Sequence, residues 1–409
     1  MNYHHAVRFL YSLGNEVQTA KFDLERISLL LGALGHPERA CRFVHVAGTN
    51  GKGSTCAMIE AGLRAAGNRT GLYTSPHLVE PTERIQIAGE PVSQGQFAEM
   101  FDEVHDTAER MLEEGDLDLH PTYFETVTAM AFMIFARSAL DVVVLEVGLG
   151  GRLDATNVVL PALCVITPID FDHTEFLGKT IQQIAAEKAG ILKPGVPAVF
   201  AEQPSEAEMV LRAHAKGPYT LSRDWAISDL WLDPRGSRFR LRGREIVCPL
   251  AGEHQVENAR TAAIALEELG ASTDGIAAAG WPGRLERVCD RPEVILDGAH
   301  NAGGTRALAA YIQRFYAGRR IWIVYGVMRD KDVTAMTSLL FPLADRVIVT
   351  APANSRAMPP EKIPAPPGSM VTQHVSEALQ AIRQAGPNDV VFITGSLFVV
   401  GEARALLVQ

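Results

Sequence analysis

The sequence predicts an α/β protein of two domains. The N-terminal domain is built on a parallel sheet with a glycine-rich phosphate-binding loop (P-loop), and the C-terminal domain is smaller and doubly wound. Three observations predict this. The apolar run Phe43–Ala47 passes straight into Gly48-Thr49-Asn50-Gly51-Lys52-Gly53-Ser54-Thr55 and then into an alanine-rich helical pattern. Asp141–Val147 and Leu163–Pro168 are continuous apolar runs, the mark of strands buried on both faces of a parallel sheet. From Val294 onward, short apolar runs alternate with helical patterns, as in an open sheet wound in both directions.

Each element can be justified in order. Residues 1–40 read as helix, because Val7, Leu10, Leu13 and then Leu24, Ile27, Leu30, Leu31 and Leu34 recur at helical spacing. Phe43–Ala47 is a strand, and Ser54–Ala66 is a helix that Gly67 can cap. Thr70–Thr74 is a short strand, followed by the loop Ser75-Pro76-His77-Leu78 and by Ile85–Ile87, part of a small hairpin. Phe97–Glu113, Tyr123–Ala136 and Thr180–Ala189 read as helices, with a strand around Pro194 and Pro197. Residues 200–250 are less regular, with strand-like alternation at Arg238–Leu241, and helix resumes over Glu253–Leu269. Trp281–Pro292, rich in Pro, Gly and charge, reads as a linker and divides a domain at 1–288 from one at 289–409. Beyond it, strands Val294–Leu296, Ile321–Tyr325, Arg346–Val349 and Val390–Ile393 alternate with helices near 303–316, 331–342, 375–385 and 397–407. Asp297-Gly298-Ala299-His300-Asn301, Gly326 and Thr394-Gly395-Ser396 then fall at the carboxyl ends of strands, where such Rossmann-like sheets bind ligands.

Composition narrows the class. A net charge of −10 over 409 residues argues against a nucleic-acid binder that relies on neutralising phosphates. The cysteines, Cys41, Cys56, Cys164, Cys248 and Cys289, are odd in number and far apart, so a disulfide framework or a zinc site of paired cysteines is not expected and a reducing cytoplasm is. The start, Met1-Asn2-Tyr3-His4-His5, lacks the basic and apolar regions of a signal peptide, and the apolar stretch Ala129–Ala136 is too short to span a bilayer.

The chemistry is carried by the first strand–loop–helix unit. Backbone N–H groups of such a turn, and the helix N-terminus it opens, cradle phosphates. Lys52 would neutralise β/γ-phosphate charge, and Ser54 or Thr55 could face Mg²⁺. Two departures from the usual Gly-x-x-x-x-Gly-Lys-Ser/Thr pattern, Val46 for the first glycine and Gly53 for the hydroxyl residue, point to a variant loop with a shortened turn. Glu146 closes an otherwise apolar strand, so it must either pair with a cation of the protein or coordinate a metal. His173, beside Asp170 and Asp172, reads either as a metal neighbour or as a hydrogen-bonded loop histidine.

Together with their flanks these residues carry a resemblance. Gly48–Ser54, Tyr73–Leu78, Glu146–Asn157, Asp172–Gly178, Glu187–Ile191 and Asp297–Asn301 resemble the folylpolyglutamate synthase/dihydrofolate synthase family of Mur-type amide ligases, over about residues 1 to 405. The resemblance implies an enzyme that uses ATP and two Mg²⁺ ions to phosphorylate a carboxylate of a pterin substrate. The amine of L-glutamate then attacks the acyl phosphate. It implies that Thr49, Asn50, Gly51, Lys52, Gly53 and Ser54 hold ATP phosphates, with Asn258, Arg284 and Asp297 at the nucleotide. Ser75, Glu146 and His173 match metal ligands. Lys52, Lys188 and His300 match residues close to the chemistry, with Lys188 matching a lysine carboxylated to a carbamate. For His300 a helix-capping role is the alternative. Thr122, Tyr123, Phe124, Glu125, Leu153, Asp154 and Ala155 match pterin-binding segments, Tyr123 and Phe124 as stacking rings or as plain core, Asp154 as a partner of the pterin edge. The resemblance also implies a nucleotide site shared by two domains that close, small-molecule substrates, no nucleic-acid or membrane partner, and a monomer.

The rivals are a ligase acting on a cell-wall precursor, for which a P-loop at residue 48 leaves no room for a uridine-nucleotide domain before it, a P-loop switch, and a non-enzymatic binding protein. Whether the chain extends glutamate tails only, or also makes dihydrofolate from dihydropteroate, is open in the sequence, with Ser75–Leu78 and Gly150–Asn157 closer to the bifunctional type.

Overall fold

A computed structural model describes residues 1–14 and 23–408. Positions 15–22, part of the stretch expected to be helical, lie outside the described residues. Contacts divide the chain into two compact units, Met1–Ala226 with Glu257–Ala279, and Ile227–Val256 with Gly280–Gln409.

The first unit is a sheet of β1 (Arg42–Ala47), β2 (Thr70–Tyr73), β3 (Ile85–Ile87), β4 (Glu90–Pro91), β5 (Val142–Glu146), β6 (Leu163–Ile166), β7 (Ala198–Phe200) and β8 (Tyr219–Leu221). Their order is β4-β3-β2-β5-β1-β6-β7-β8. The strands from β2 to β8 run parallel, and the β3–β4 hairpin adds two antiparallel strands at one edge. β5, β6 and all of β1 after Arg42 are buried, and mostly apolar, because helices cover the sheet. One core sets Phe97, Phe101, Val127 and Phe132 against Phe43, Val143 and Leu145 of the sheet. Each of the fully buried phenylalanines contributes about 1.5–3 kcal/mol. A second core packs Ile184, Ala189 and Leu211 against Ile166 and Phe200. Helices start where the sequence supplies capping boxes: Ser93 and Gln96 for Gln94–Glu114, Thr122 and Glu125 for Tyr123–Arg137, Thr180 and Gln183 for Ile181–Ala189.

The second unit holds a three-stranded antiparallel sheet, β9 (Ile227–Asp233), β10 (Gly236–Leu241) and β11 (Arg244–Cys248). Its main sheet runs β12-β13-β17-β14-β15-β16, from β12 (Glu286–Asp290), β13 (Glu293–Leu296), β14 (Ile321–Tyr325), β15 (Arg346–Val349), β16 (Met370–Val371) and β17 (Val390–Thr394). β12 is antiparallel to β13; the other pairs are parallel.

Two stretches differ from the sequence reading. The irregular middle contains the helix Ser205–His214 and the β9–β11 sheet. β9 is mostly exposed, so it lacks the apolar alternation that marks a strand. The Arg242-Gly243 turn, positive in φ at both residues, closes the β10–β11 hairpin. The stretch expected as linker contains β12, whose polar residues suit an edge strand. The contact division accordingly groups 227–256 with the C-terminal sheet, where the sequence reading draws one boundary at 288.

No helix of the described residues is long and apolar enough to cross a membrane. All five cysteines are free.

Candidate functional site

In the first unit, β2, β5, β1 and β6 are consecutive neighbours, so their carboxyl ends line up. Register puts Val46 of β1 opposite Glu146 of β5, Ala47 opposite Ile166 of β6, and Tyr73 of β2 opposite Leu145. Ser75, Glu146, the loop after β1 and the segment Thr167–His173 therefore meet at one crevice. It lies where the connections leaving the neighbouring strands β1 and β6 run in opposite directions, to β2 and to β7, the usual ligand position of such sheets.

The loop after β1 is held by its neighbour strand. The Thr49 and Asn50 N–H groups donate to Pro168 O at 3.0 and 3.2 Å, and Thr49 Oγ1 donates to Asp170 O at 3.0 Å. Gly51 precedes the helix Lys52–Ala65 with φ +85°. A Cβ there would fall 2.2 Å from Asn258 Oδ1, so glycine is required both by conformation and by space. The helix begins at Lys52, two residues before the sequence reading, and runs 14 residues. Its open N-terminus carries positive partial charge toward the loop. Lys52 Nζ donates to Thr49 O at 3.3 Å. Ser54 and Thr55 are buried, and Thr55 Oγ1 has no hydrogen-bond partner among the described residues.

Lys188 lies in the last turn of the helix Ile181–Ala189 and is buried, with Nζ donating to Gly48 O at 2.8 Å. Burial, then the Lys52 charge, push its pKa down to about 7, against an opposing pull from Asp172 and Asp154. The glycine-rich segment after β5 explains its placement. A Cβ on Gly151 would lie 2.8 Å from Glu187 O and 2.9 Å from Lys188 O. Arg152 N donates to Glu187 O at 2.8 Å, and Asn157 Nδ2 to Gly190 O at 3.2 Å. The segment thus packs directly on the turn that presents Lys188.

Glu146 is buried at the end of β5, and its Oε2 accepts Ser75 N–H at 3.2 Å. Cys56 is buried within reach of both Glu146 and Lys52; burial and Glu146 push its thiol far up, and Lys52 pulls the other way. His173 is left-handed (φ 49°), with Nε2 3.9 Å from Asp172 Oδ1.

The residues matched to pterin binding behave differently from one another. Thr122 and Glu125 cap their helix, and Glu125 also takes Arg26 Nε at 2.9 Å in a buried ion pair. Tyr123 is buried, stacked on Tyr11 with the rings 9° from parallel, and the Arg84 guanidinium lies 5.0 Å from its ring centre. Asp154 is buried and accepts Leu149 N–H at 2.8 Å and Thr156 N–H at 3.0 Å; burial raises its pKa despite these bonds. Ala155 is buried, while Phe124 and Leu153 keep partial exposure. Phe124 packs on Gly148, where a Cβ would come within 2.4 Å of its Cζ.

In the second unit, Asp297 follows β13. It is buried, accepts Leu285 N–H at 3.0 Å and Ala299 N–H at 3.1 Å, and is pushed up to about 6 by burial, with Arg284 opposing. Gly298 N donates to Gly283 O at 2.8 Å. These bonds tie the segment 283–285, expected as linker, to the strand end. His300 Nδ1 pairs with Gly298 O at 2.8 Å, and the cap of the helix Ala302–Phe315 is Asn301, not His300. Nδ1 facing a carbonyl holds its proton there and leaves Nε2 as the acceptor.

Sequence reasoning missed Pro168, whose carbonyl anchors the loop, and the His77–Arg84–Tyr11 group around Tyr123. His77 Nδ1 accepts Arg84 Nε–H at 2.9 Å, and burial beside Arg84 pushes its pKa down to about 3. No local pattern signals either, since Pro168 meets the loop after β1, and Tyr11 meets His77 and Tyr123, only across long stretches of chain.

Comparison with known proteins follows the same lines. The family described as "Mur ligase middle domain" matches residues 46–266, and "Mur ligase, glutamate ligase domain" matches 283–397. The dihydrofolate synthase/folylpolyglutamate synthase of Bacillus subtilis (strain 168) is 37% identical over 413 residues, covering 95% of this chain and 95% of the relative. The folylpolyglutamate synthase of Lacticaseibacillus casei is 34% identical, covering 100% and 99%. Among solved structures, Mycobacterium tuberculosis folylpolyglutamate synthase complexed with ADP aligns with TM-score 0.91 at 34% identity, covering 100% of this chain and 98% of that one. Escherichia coli FolC in complex with DHPP and ADP aligns with TM-score 0.88 at 32% identity, covering 99% and 97%. Likeness of this extent, across both family domains and nearly every residue, means that the chain belongs to the Mur ligases, ATP-dependent ligases, and within them to the folylpolyglutamate synthase/dihydrofolate synthase family.

Proposed function

We propose that the protein joins L-glutamate to a folate-type carboxylate at the expense of ATP, and that it acts on dihydropteroate as well as on reduced folates. The observation that carries this is the buried Lys188 amine set on the P-loop carbonyl of Gly48, with Lys52 beside it and Glu146 at the adjoining strand end. Loop and lysine suit phosphoryl transfer, in which positioning and charge neutralisation outweigh covalent catalysis. A carboxylate oxygen of the pterin substrate bonds to the γ-phosphorus of ATP, and the bond to the ADP oxygen breaks. The glutamate amine then attacks the acyl carbon, and phosphate leaves with the former carboxylate oxygen.

In this reading the loop N–H groups of Gly51 to Ser54 and the helix N-terminus bind the phosphates, the Thr49 and Asn50 N–H groups being held by Pro168 O, and Lys52 offsets the phosphate charge. The donor set Glu146, Ser75 and His173 fits Mg²⁺: a buried carboxylate at the end of β5, a hydroxyl and one imidazole. Bound there, Mg²⁺ supplies charge for the transferring phosphoryl group. The depressed pKa of Lys188 provides the neutral amine that CO₂ needs. Nζ adds to the carbon and loses a proton, giving a carbamate whose remaining N–H can still donate to Gly48 O. Asn258 walls the loop at Gly51, and Arg284, Asp297 and His300, gathered at the end of β13, are the further residues this reading assigns to ATP. On the pterin side Phe124 and Leu153 offer the exposed apolar surface, and Thr122, Tyr123, Glu125, Asp154 and Ala155 build the wall behind it. The protein works as a monomer, in the cytoplasm, without nucleic acid.

Phosphate release by the purified chain with Mg·ATP and L-glutamate tests this, comparing dihydropteroate, tetrahydrofolate and no pterin. Release with both pterins is expected. Release with tetrahydrofolate alone limits the enzyme to tail extension, and release indifferent to pterin overturns the ligase reading for these substrates.

A further inference from the structure

Elsewhere in the first unit, the helix Gln94–Glu114 carries His105 and Glu109 one turn apart, on one face. His120 approaches the same face from the segment before the helix Tyr123–Arg137. His105 Nδ1 lies 3.7 Å and His120 Nε2 lies 3.6 Å from the same Glu109 Oε1. The three ligand atoms fall within 4.8 Å of one another. Both nitrogens are buried without a hydrogen-bond partner among the described residues, on side chains 11% and 15% exposed. Leaving two such groups unsatisfied is costly.

The surroundings orient the lone pairs. His120 Nδ1 pairs with Pro121 O at 2.8 Å, so the proton sits on Nδ1 and the Nε2 lone pair faces Glu109. A backbone carbonyl on the far nitrogen is the partner that metal-bound histidines commonly have. Phe9 lies 4.5 Å from the His105 ring and 5.5 Å from the His120 ring, and Phe101 stacks on His105 at 5.3 Å, which restricts both rings. Tetrahedral Zn–N and Zn–O bonds place ligand atoms about 3.3 Å apart, so the 3.6 and 3.7 Å separations from Glu109 are near that geometry and the two histidine nitrogens, within 4.8 Å, reach it by side-chain rotation.

We propose that His105, Glu109 and His120 bind a divalent transition-metal ion of the zinc class, with water in the fourth position. Two imidazoles and one carboxylate suit such ions and disfavour Mg²⁺ and Ca²⁺, which take oxygen ligands. The ion pins the C-terminal half of the helix Gln94–Glu114 to the segment that leads into the Thr122 cap. The site is separate from the ligands assigned to the nucleotide and does not depend on the ligase reading.

The test uses the full chain after dialysis against a chelator. Zn²⁺ is titrated by calorimetry, Co²⁺ by its visible absorption, and thermal unfolding is followed with and without Zn²⁺. One equivalent of tight binding, an intense tetrahedral Co²⁺ band and a raised melting temperature are expected. Glu109→Gln, on the exposed side, and His120→Gln each weaken Zn²⁺ binding by about 10–100-fold or more. Glu146→Gln and the pair His4→Gln, His5→Gln leave this binding intact, which separates it from the nucleotide crevice and the N-terminus. Circular dichroism of each metal-free variant checks folding, and if His120→Gln fails to fold, Glu109→Gln alone decides. No stoichiometric Zn²⁺ binding, or binding unchanged in Glu109→Gln, overturns the proposal.

Discussion

Lys188 shows how one residue acquires chemistry from its surroundings. An exposed helix lysine stays protonated and inert toward CO₂. Burial against Gly48 O, with Lys52 nearby, brings this one to about 7. Lys188→Ala is expected to lower kcat by about 100-fold or more. Lys188→Arg does not restore it, since a guanidinium stays protonated. Steady-state rates of both variants check this. The neutral amine predominates only above about pH 7, so enzyme depleted of CO₂ regains activity with bicarbonate at pH 8 and much less at pH 6. Asp297 titrates with the opposite sense. Its folded pKa, about 6, lies above the ordinary 3.8. Between these values the folded chain keeps a proton that the unfolded chain has lost. The stabilising contribution is full below about pH 4 and is lost as pH rises through 6, about 3 kcal/mol in all. Asp297→Asn is expected to remove that slope, read as the difference in unfolding midpoints between the two chains from pH 4 to 6.

At the scale of elements, the start of the helix Tyr123–Arg137 is the most heavily built. Glu125 accepts the Thr122 N–H and hydroxyl at 2.8 Å each and pairs with Arg26. Deleting the cation leaves a buried carboxylate with only the cap to compensate it. Arg26→Met is therefore expected to destabilise the chain by about 3–5 kcal/mol, read by urea unfolding. The same element shows what sequence could tell. Thr-x-x-Glu before an apolar run signals a helix start, and the helix is there. That pattern cannot say that Arg26, 99 positions earlier, would occupy the glutamate. Nor could local pattern find β9 or β12: edge and solvated strands lack the apolar alternation on which the reading depends.

On the scale of the whole molecule, a ligand that binds only the folded chain stabilises it by mass action. Mg·ATP at about 100 times its dissociation constant adds about 2.7 kcal/mol, so the melting temperature rises with its concentration, and Gly51→Ala reduces that rise. The Gly51 substitution meets Asn258 Oδ1 and a positive φ together. Stability is expected to be unaffected by reductant, because all five cysteines are free and three, Cys56, Cys164 and Cys248, are buried. Melting with and without dithiothreitol reads this directly.

The sequence by itself determined the two α/β sheets, the loop after β1 and its shortened turn, and the motifs whose order matches one ligase family. These rest on local pattern: apolar runs, helical spacing, glycines and caps. Only the tertiary structure decided which side chains are engaged. It set Lys188 on Gly48 O, Pro168 under the loop, Tyr11 and Arg84 around Tyr123, and Asn301 rather than His300 at the helix cap. Such contacts join residues distant in the chain. Burial and neighbouring charge, which set their chemistry, exist only after the strands have found their register.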